Sequence, residues 1–116
     1  MANCRAKEKD DFPALASLAS SVMADVDHEK LSRGSFCDAT GKFPGASIRA
    51  DVPGWVQSSD AVAYLRSRGY TFGENGPGLS ADGRYFASVE GPLRDRGEGA
   101  DIAVTFSLVS DVRHRN

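Results

Sequence analysis

Between residues 101 and 109 the chain alternates, with Ile102, Val104, Phe106 and Leu108 at every second position and Ala103, Thr105 and Ser107 between them. Successive side chains of a strand point to opposite faces, so this spacing predicts a strand that buries one face and leaves the other small and polar. Upstream, Asp82-Gly83 separates residues 79–81 from residues 84–90. Asp-Gly is a preferred two-residue hairpin turn because both central positions take positive φ. A half-buried strand beside a hairpin commits the last third of the chain to an antiparallel sheet.

The first half reads as helix, strand, helix. Asp11 before Phe12-Pro13 predicts a helix start, with the carboxylate capping free N–H groups and Pro in the first turn, which leaves residues 1–10 as a flexible leader. Leu15, Leu18, Val22 and Val26 recur at three and four and form the apolar stripe. This helix is expected to fray near Asp27 or to run to Arg33, with Gly34 as a left-handed stop. Residues 35–47 have neither period and read as an exposed loop. Ile48, Ala50 and Val52 alternate with Arg49 and Asp51 in a short strand, and Val52-Pro53-Gly54-Trp55 suits a type II turn. Ser58 is the expected cap of a second helix through Arg68, with Ala61, Val62 and Leu65 inward, Gly69 as its stop and Tyr70 folding back on the last turn. Tyr70-Thr71-Phe72 reads as a strand, 73–78 and 94–100 as loops, and 113–116 as a basic tail.

The order predicts a single α+β domain at residues 11–112, with two helices on one face of a mostly antiparallel sheet of four or five strands that ends in a β-meander. No apolar run approaches the roughly 20 residues that span a bilayer, and the N-terminus lacks the apolar middle of a signal peptide. Cys4 in the leader and Cys37 in a loop make a poor disulfide pair, so a cytoplasmic setting is expected. The net charge of -2 and pI of about 5.6 do not favour a phosphate backbone as partner.

No motif for metal, phosphate or nucleophilic chemistry is complete. His28-Glu29 lacks the second histidine of a zinc helix, and Cys4, Cys37 and His114 have no close ligand spacing, so neither metal nor cofactor is expected. Residues 73–78 lead into a hairpin instead of a helix, and Gly41-Lys42 lacks the rest of a phosphate loop. Cys37 as a nucleophile would need His28 or His114 as base, and the neighbouring Asp38 would raise its thiol pKa.

These exclusions favour a small non-enzymatic protein-binding module, an inhibitor, adaptor or accessory protein of phage or mobile-element type, occupying a surface of a larger protein or complex. Trp55, Phe43, Arg94 and Arg96 are its candidate anchors, because Trp, Tyr and Arg dominate interface energetics. Asp25, Asp27 and Glu29 are a candidate acidic helix face. Contacts are expected in loops 35–47, 73–78 and 94–100, since helices and sheet have core duties. The alternative is a nucleic-acid binder using Arg66, Arg84, Arg113 and Arg115 with Tyr85 and Phe86 as stacking rings. An enzyme using Cys37 comes third.

Overall fold

The alternating segment near the C-terminus becomes the middle strand of the molecule. The structure, a computed structural model, describes residues 2–29, 31–35, 46–73, 76–91 and 102–109. Helix α1 spans Ala2–Val22, followed by β1 (Ser32–Ser35), β2 (Ala46–Val52), α2 (Ser58–Ser67), β3 (Gly78–Leu79), β4 (Tyr85–Glu90) and β5 (Ile102–Leu108). The five strands pair antiparallel throughout in the order β1-β2-β5-β4-β3, so β3, β4 and β5 form the expected meander and β5 is flanked by β2 and β4.

Register assigns the two faces. Ile48 stands opposite Phe106, Ala50 opposite Val104 and Val52 opposite Ile102, while on the other side of β5 Phe106 faces Ala87 and Val104 faces Val89. These residues form one core with Leu15 and Ala19 of α1, Met23 just past its end, and Ala61 and Leu65 of α2, so both helices cover the same face. α1 lies along β2, and α2 lies over β4 and β5. Of the stripe expected from sequence Leu15 is fully buried, joined by Ala19 four residues on, whereas Leu18 and Val22 are only half-buried flanks and Val26 lies beyond the helix.

The start and end of α1 depart furthest from expectation. It begins at Ala2 instead of Asp11, so residues 2–10, read as a leader, are helical and Pro13 lies inside the helix. Ala2, Arg5, Ala6, Lys7, Glu8 and Lys9 are good helix formers, and this propensity carries the helix past a residue that has no N–H for the Lys9 carbonyl. Pro13→Ala is therefore expected to raise stability by about 2 kcal/mol: ~3 for interior proline relief, less ~1 for the looser unfolded chain. A midpoint shift in urea measures it, and an unchanged or lower midpoint would place Pro13 in a first turn instead. At the other end the helix stops at Val22, and Gly34 is a strand residue without positive φ. The reason is contact: a Cβ at Gly34 would overlap Ser47 Oγ on β2.

The α2 termini follow the sequence closely, one residue displaced. Gln57, not Ser58, is the N-cap, because Asp60 reaches back so that its carboxylate accepts the N–H groups of Gln57 (3.1 Å) and Val56 (3.2 Å). At the other end Gly69 takes φ 93°, its N–H donates to the Arg66 carbonyl, and the Tyr70 N–H donates to the Leu65 carbonyl, each at 3.1 Å. That pair of bonds is a Schellman stop, and it delivers Tyr70 into the core at 5% exposure. The expected strand at 70–72 reduces to a single bridge between Thr71 and Leu79.

Both predicted turns form with other dihedrals. The Trp55 N–H donates to the Val52 carbonyl at 3.3 Å, but Gly54 does not take the positive φ that a type II turn needs. In the hairpin only Gly83 is left-handed, at φ 74°. The loop is longer than two residues: the Gly83 N–H bonds the Ser80 carbonyl, and the Ser80 N–H bonds Tyr85, both at 3.0 Å. Asp82 explains the choice. Its carboxylate accepts the Ser80 hydroxyl (2.7 Å) and the Arg84 N–H (3.0 Å), and these bonds hold its pKa below the usual value.

Candidate functional site

With both helices on one side, the other face of the sheet has no described element packed over it. The same register that builds the core places Ser47 beside Ser107, Arg49 beside Thr105 and Asp51 beside Ala103, while β4 contributes Phe86, Ser88 and Glu90 opposite Ser107, Thr105 and Ala103. The floor along β5 is therefore made of small side chains, with longer ones rising from β2 and β4. At its β1–β2 side this produces a hollow of about 430 Å³ that includes Ser32, Gly34, Ser47, Arg49, Asp51, Thr105 and Glu90.

Charge in the hollow is organised around Arg49. Its Nε donates to Asp51 Oδ1 at 2.9 Å, and its Nη1 lies 3.8 Å from Glu90 Oε2. The side chains of Arg49 and Asp51 are only 26% and 24% exposed, although they project from the solvent side of the sheet, whereas Glu90 is 48% exposed. Partly exposed pairs of this kind contribute about 0 to 1 kcal/mol to folding. The arrangement therefore does little to stabilise the domain, and it presents fixed donors and acceptors to whatever approaches. Among the described residues, no three His, Cys, Asp or Glu side chains converge as a metal ion requires.

A second cluster gathers several residues singled out from the sequence. Trp55 is half-buried against the core, its ring centroid 5.6 Å from that of Tyr64 at an interplanar angle of 53°. The Tyr64 hydroxyl donates to the Val22 carbonyl at 2.6 Å, closing the end of α1, and burial raises its pKa. Arg68 lies 5.2 Å above the Tyr64 ring and pairs with Asp25. Trp55 and Asp25 thus take part in the junction between the helices.

The remaining sequence candidates are dispersed. Asp27 and Glu29 are exposed, but the helix has ended before Asp25, so the three acids do not share a helix face. The Glu29 N–H instead donates to the Asp51 carbonyl at 2.8 Å. Arg66 sits 5.9 Å over the Phe72 ring, and Arg84 is exposed beside the hairpin turn. Tyr85 packs toward the helices while its neighbour Phe86, opposite Ser107, belongs to the other face, so the two rings do not form one stacking platform. Phe43, Arg94, Arg96, Arg113, Arg115 and Cys37 lie outside the described residues.

Arg49, Asp51, Glu90 and Thr105 were not singled out by motif reasoning. For Arg49, Asp51 and Thr105 the signal was present in the alternation itself, which marks every second residue of residues 48–52 and 102–108 as outward. What the sequence withheld was the strand order, which decides which outward residues meet. Compared with known proteins, the chain matches no family model, no curated protein and no solved structure.

Proposed function

We propose that this protein is a small interaction module that acts by occupying a surface of a larger protein, and that it does so through the face of its sheet opposite the two helices. The observation that carries this reading is the hollow at Arg49: charged groups held three-quarters buried on a face that no described element covers. Antiparallel sheets tolerate one wet face, but side chains free in water extend away from the sheet. Here they are held by neighbours, which lowers the entropy lost when a partner orders them. Contacts are proposed for the outward residues of β2, β4 and β5, whereas most of the loop residues expected to carry them lie outside the described residues.

The test is a tagged pull-down from host lysate after nuclease treatment, comparing the natural chain with Thr105→Arg, which fills the hollow from its floor. One protein should be retained at near-equal stoichiometry by the natural chain, and its recovery should fall at least about tenfold with the variant, the effect of a steric block at an interface centre. Circular dichroism of both chains should coincide. Recovery that depends on nucleic acid, or that ignores Thr105→Arg, would overturn the assignment of this face.

A further inference from the structure

Resting on that reading, we infer that the hollow receives a basic side chain, an arginine or lysine on a segment of the partner protein. Asp51 and Glu90 bring two carboxylates to this site, and among the described residues Arg49 is the guanidinium that faces them. Arg33 also borders the hollow, but its guanidinium lies 5.0 Å over the Phe12 ring, on the helix side of the sheet. Arg49 has committed Nε to Asp51 at 2.9 Å, while its approach to Glu90, 3.8 Å, exceeds hydrogen-bond length. Arg49 thus hydrogen-bonds one carboxylate and holds the other by charge alone, so among the described residues two carboxylates share a single facing guanidinium.

The strand register decides which cation fits. Asp51 and Glu90 flank Ala103 from opposite sides, so their backbones stand two strand spacings apart, roughly 10 Å. A metal ion needs several oxygen ligands within about 2 to 2.6 Å, and among the described residues no three His, Cys, Asp or Glu side chains converge here. A guanidinium or ammonium on a flexible stem spans such a gap, with hydrogen bonds to one carboxylate and the Thr105 and Ser47 hydroxyls within the same hollow. An acidic side chain entering there would meet two like charges against one opposite, which disfavours it. The sign of the site therefore selects basic partners and rejects acidic ones.

The experiment is an amide NMR titration of the full chain, at low salt, with three capped pentapeptides of the form Gly-X-Gly-X-Gly in which X is Arg, Lys or Glu. The Arg and Lys peptides should shift the amides of Gly34, Ser47 and Thr105 saturably, and the Glu peptide should not. Glu90→Gln, at an exposed side chain, should weaken the Arg peptide about five- to tenfold. Arg49→Gln, which removes the competing cation, should strengthen it severalfold. A purely structural Arg49 would leave affinity unchanged or lower it. Preference for the Glu peptide, or loss of binding in Arg49→Gln with a preserved amide spectrum, would overturn the inference and make Arg49 an anion receptor. A protein partner that Thr105→Arg releases but Glu90→Gln does not would leave the interaction reading standing and remove the basic side chain from it.

Discussion

Phe106→Ala should lower the folding free energy by about 3 to 5 kcal/mol, the range for truncating a fully buried phenylalanine. The ring is 0% exposed and belongs to the central strand. It stands between Ile48 on β2 and Ala87 on β4, and the small Ala87 leaves the space that the ring fills. On the helix side its edge meets Tyr70, with ring centroids 6.4 Å apart at 65°. Removing it opens a cavity where both halves of the sheet and a helix stop meet, so no single element can collapse into it. A domain of ordinary stability, about 5 to 15 kcal/mol, would lose a large share of its margin. Urea unfolding followed by circular dichroism gives the number, and a loss under 1 kcal/mol would mean that β5 is not the central strand.

The second large effect belongs to alkaline pH. The Tyr70 hydroxyl is buried and has no hydrogen-bond partner among the described residues. Burial first, then the negative charge of Asp82 and the neighbouring Tyr85, push its pKa from 10.0 to about 12. The folded state therefore holds this proton more tightly than the unfolded chain does. Its contribution is complete below pH 10 and is lost as pH rises from 10 toward 12, by about 2 to 3 kcal/mol at the upper end. Tyr70→Phe keeps the ring against Phe106 and deletes the orphan hydroxyl. That variant should be about 1 kcal/mol more stable at neutral pH and should decline less steeply above pH 10. Denaturant midpoints of both chains across pH 8 to 11.5 test the pair of statements. Parallel curves would show that Tyr70 releases its proton equally readily in the folded and unfolded chains, contrary to its burial.

The core was readable because its signals are local and periodic. Ile48, Ala50 and Val52 on one strand and Ile102, Val104 and Phe106 on another announce their common face by alternation, and Gly69 with Tyr70 announces a helix stop within five residues of Leu65. The α1 boundaries were not readable, because Pro13 permits two interpretations, first turn or tolerated interior, and good helix formers upstream settle it for the second. Gly34 misled for a similar reason. Its small size serves a close approach to Ser47 across a strand pair, and that neighbour is chosen by register far beyond the window of a local pattern. The site was hidden at the same level. Arg49, Asp51 and Glu90 come from two strands separated by a third, and Glu90 is brought to Arg49 only by the pairing of both strands with β5.

Strand order also sets the sequence of events by which the chain reaches its native state. β1 with β2, and β3 with β4, are pairs of near neighbours in sequence, but the two pairs share no ladder; β5 joins them by lying between β2 and β4. Local hairpins close with little loop entropy, while a strand inserted between two of them must wait for both and involves long-range closure. During synthesis the two pairs would emerge before β5 and would remain two half-sheets with apolar flanks. Docking of β5 is then the step that makes folding cooperative, and its amides should be the slowest in the molecule to exchange with solvent.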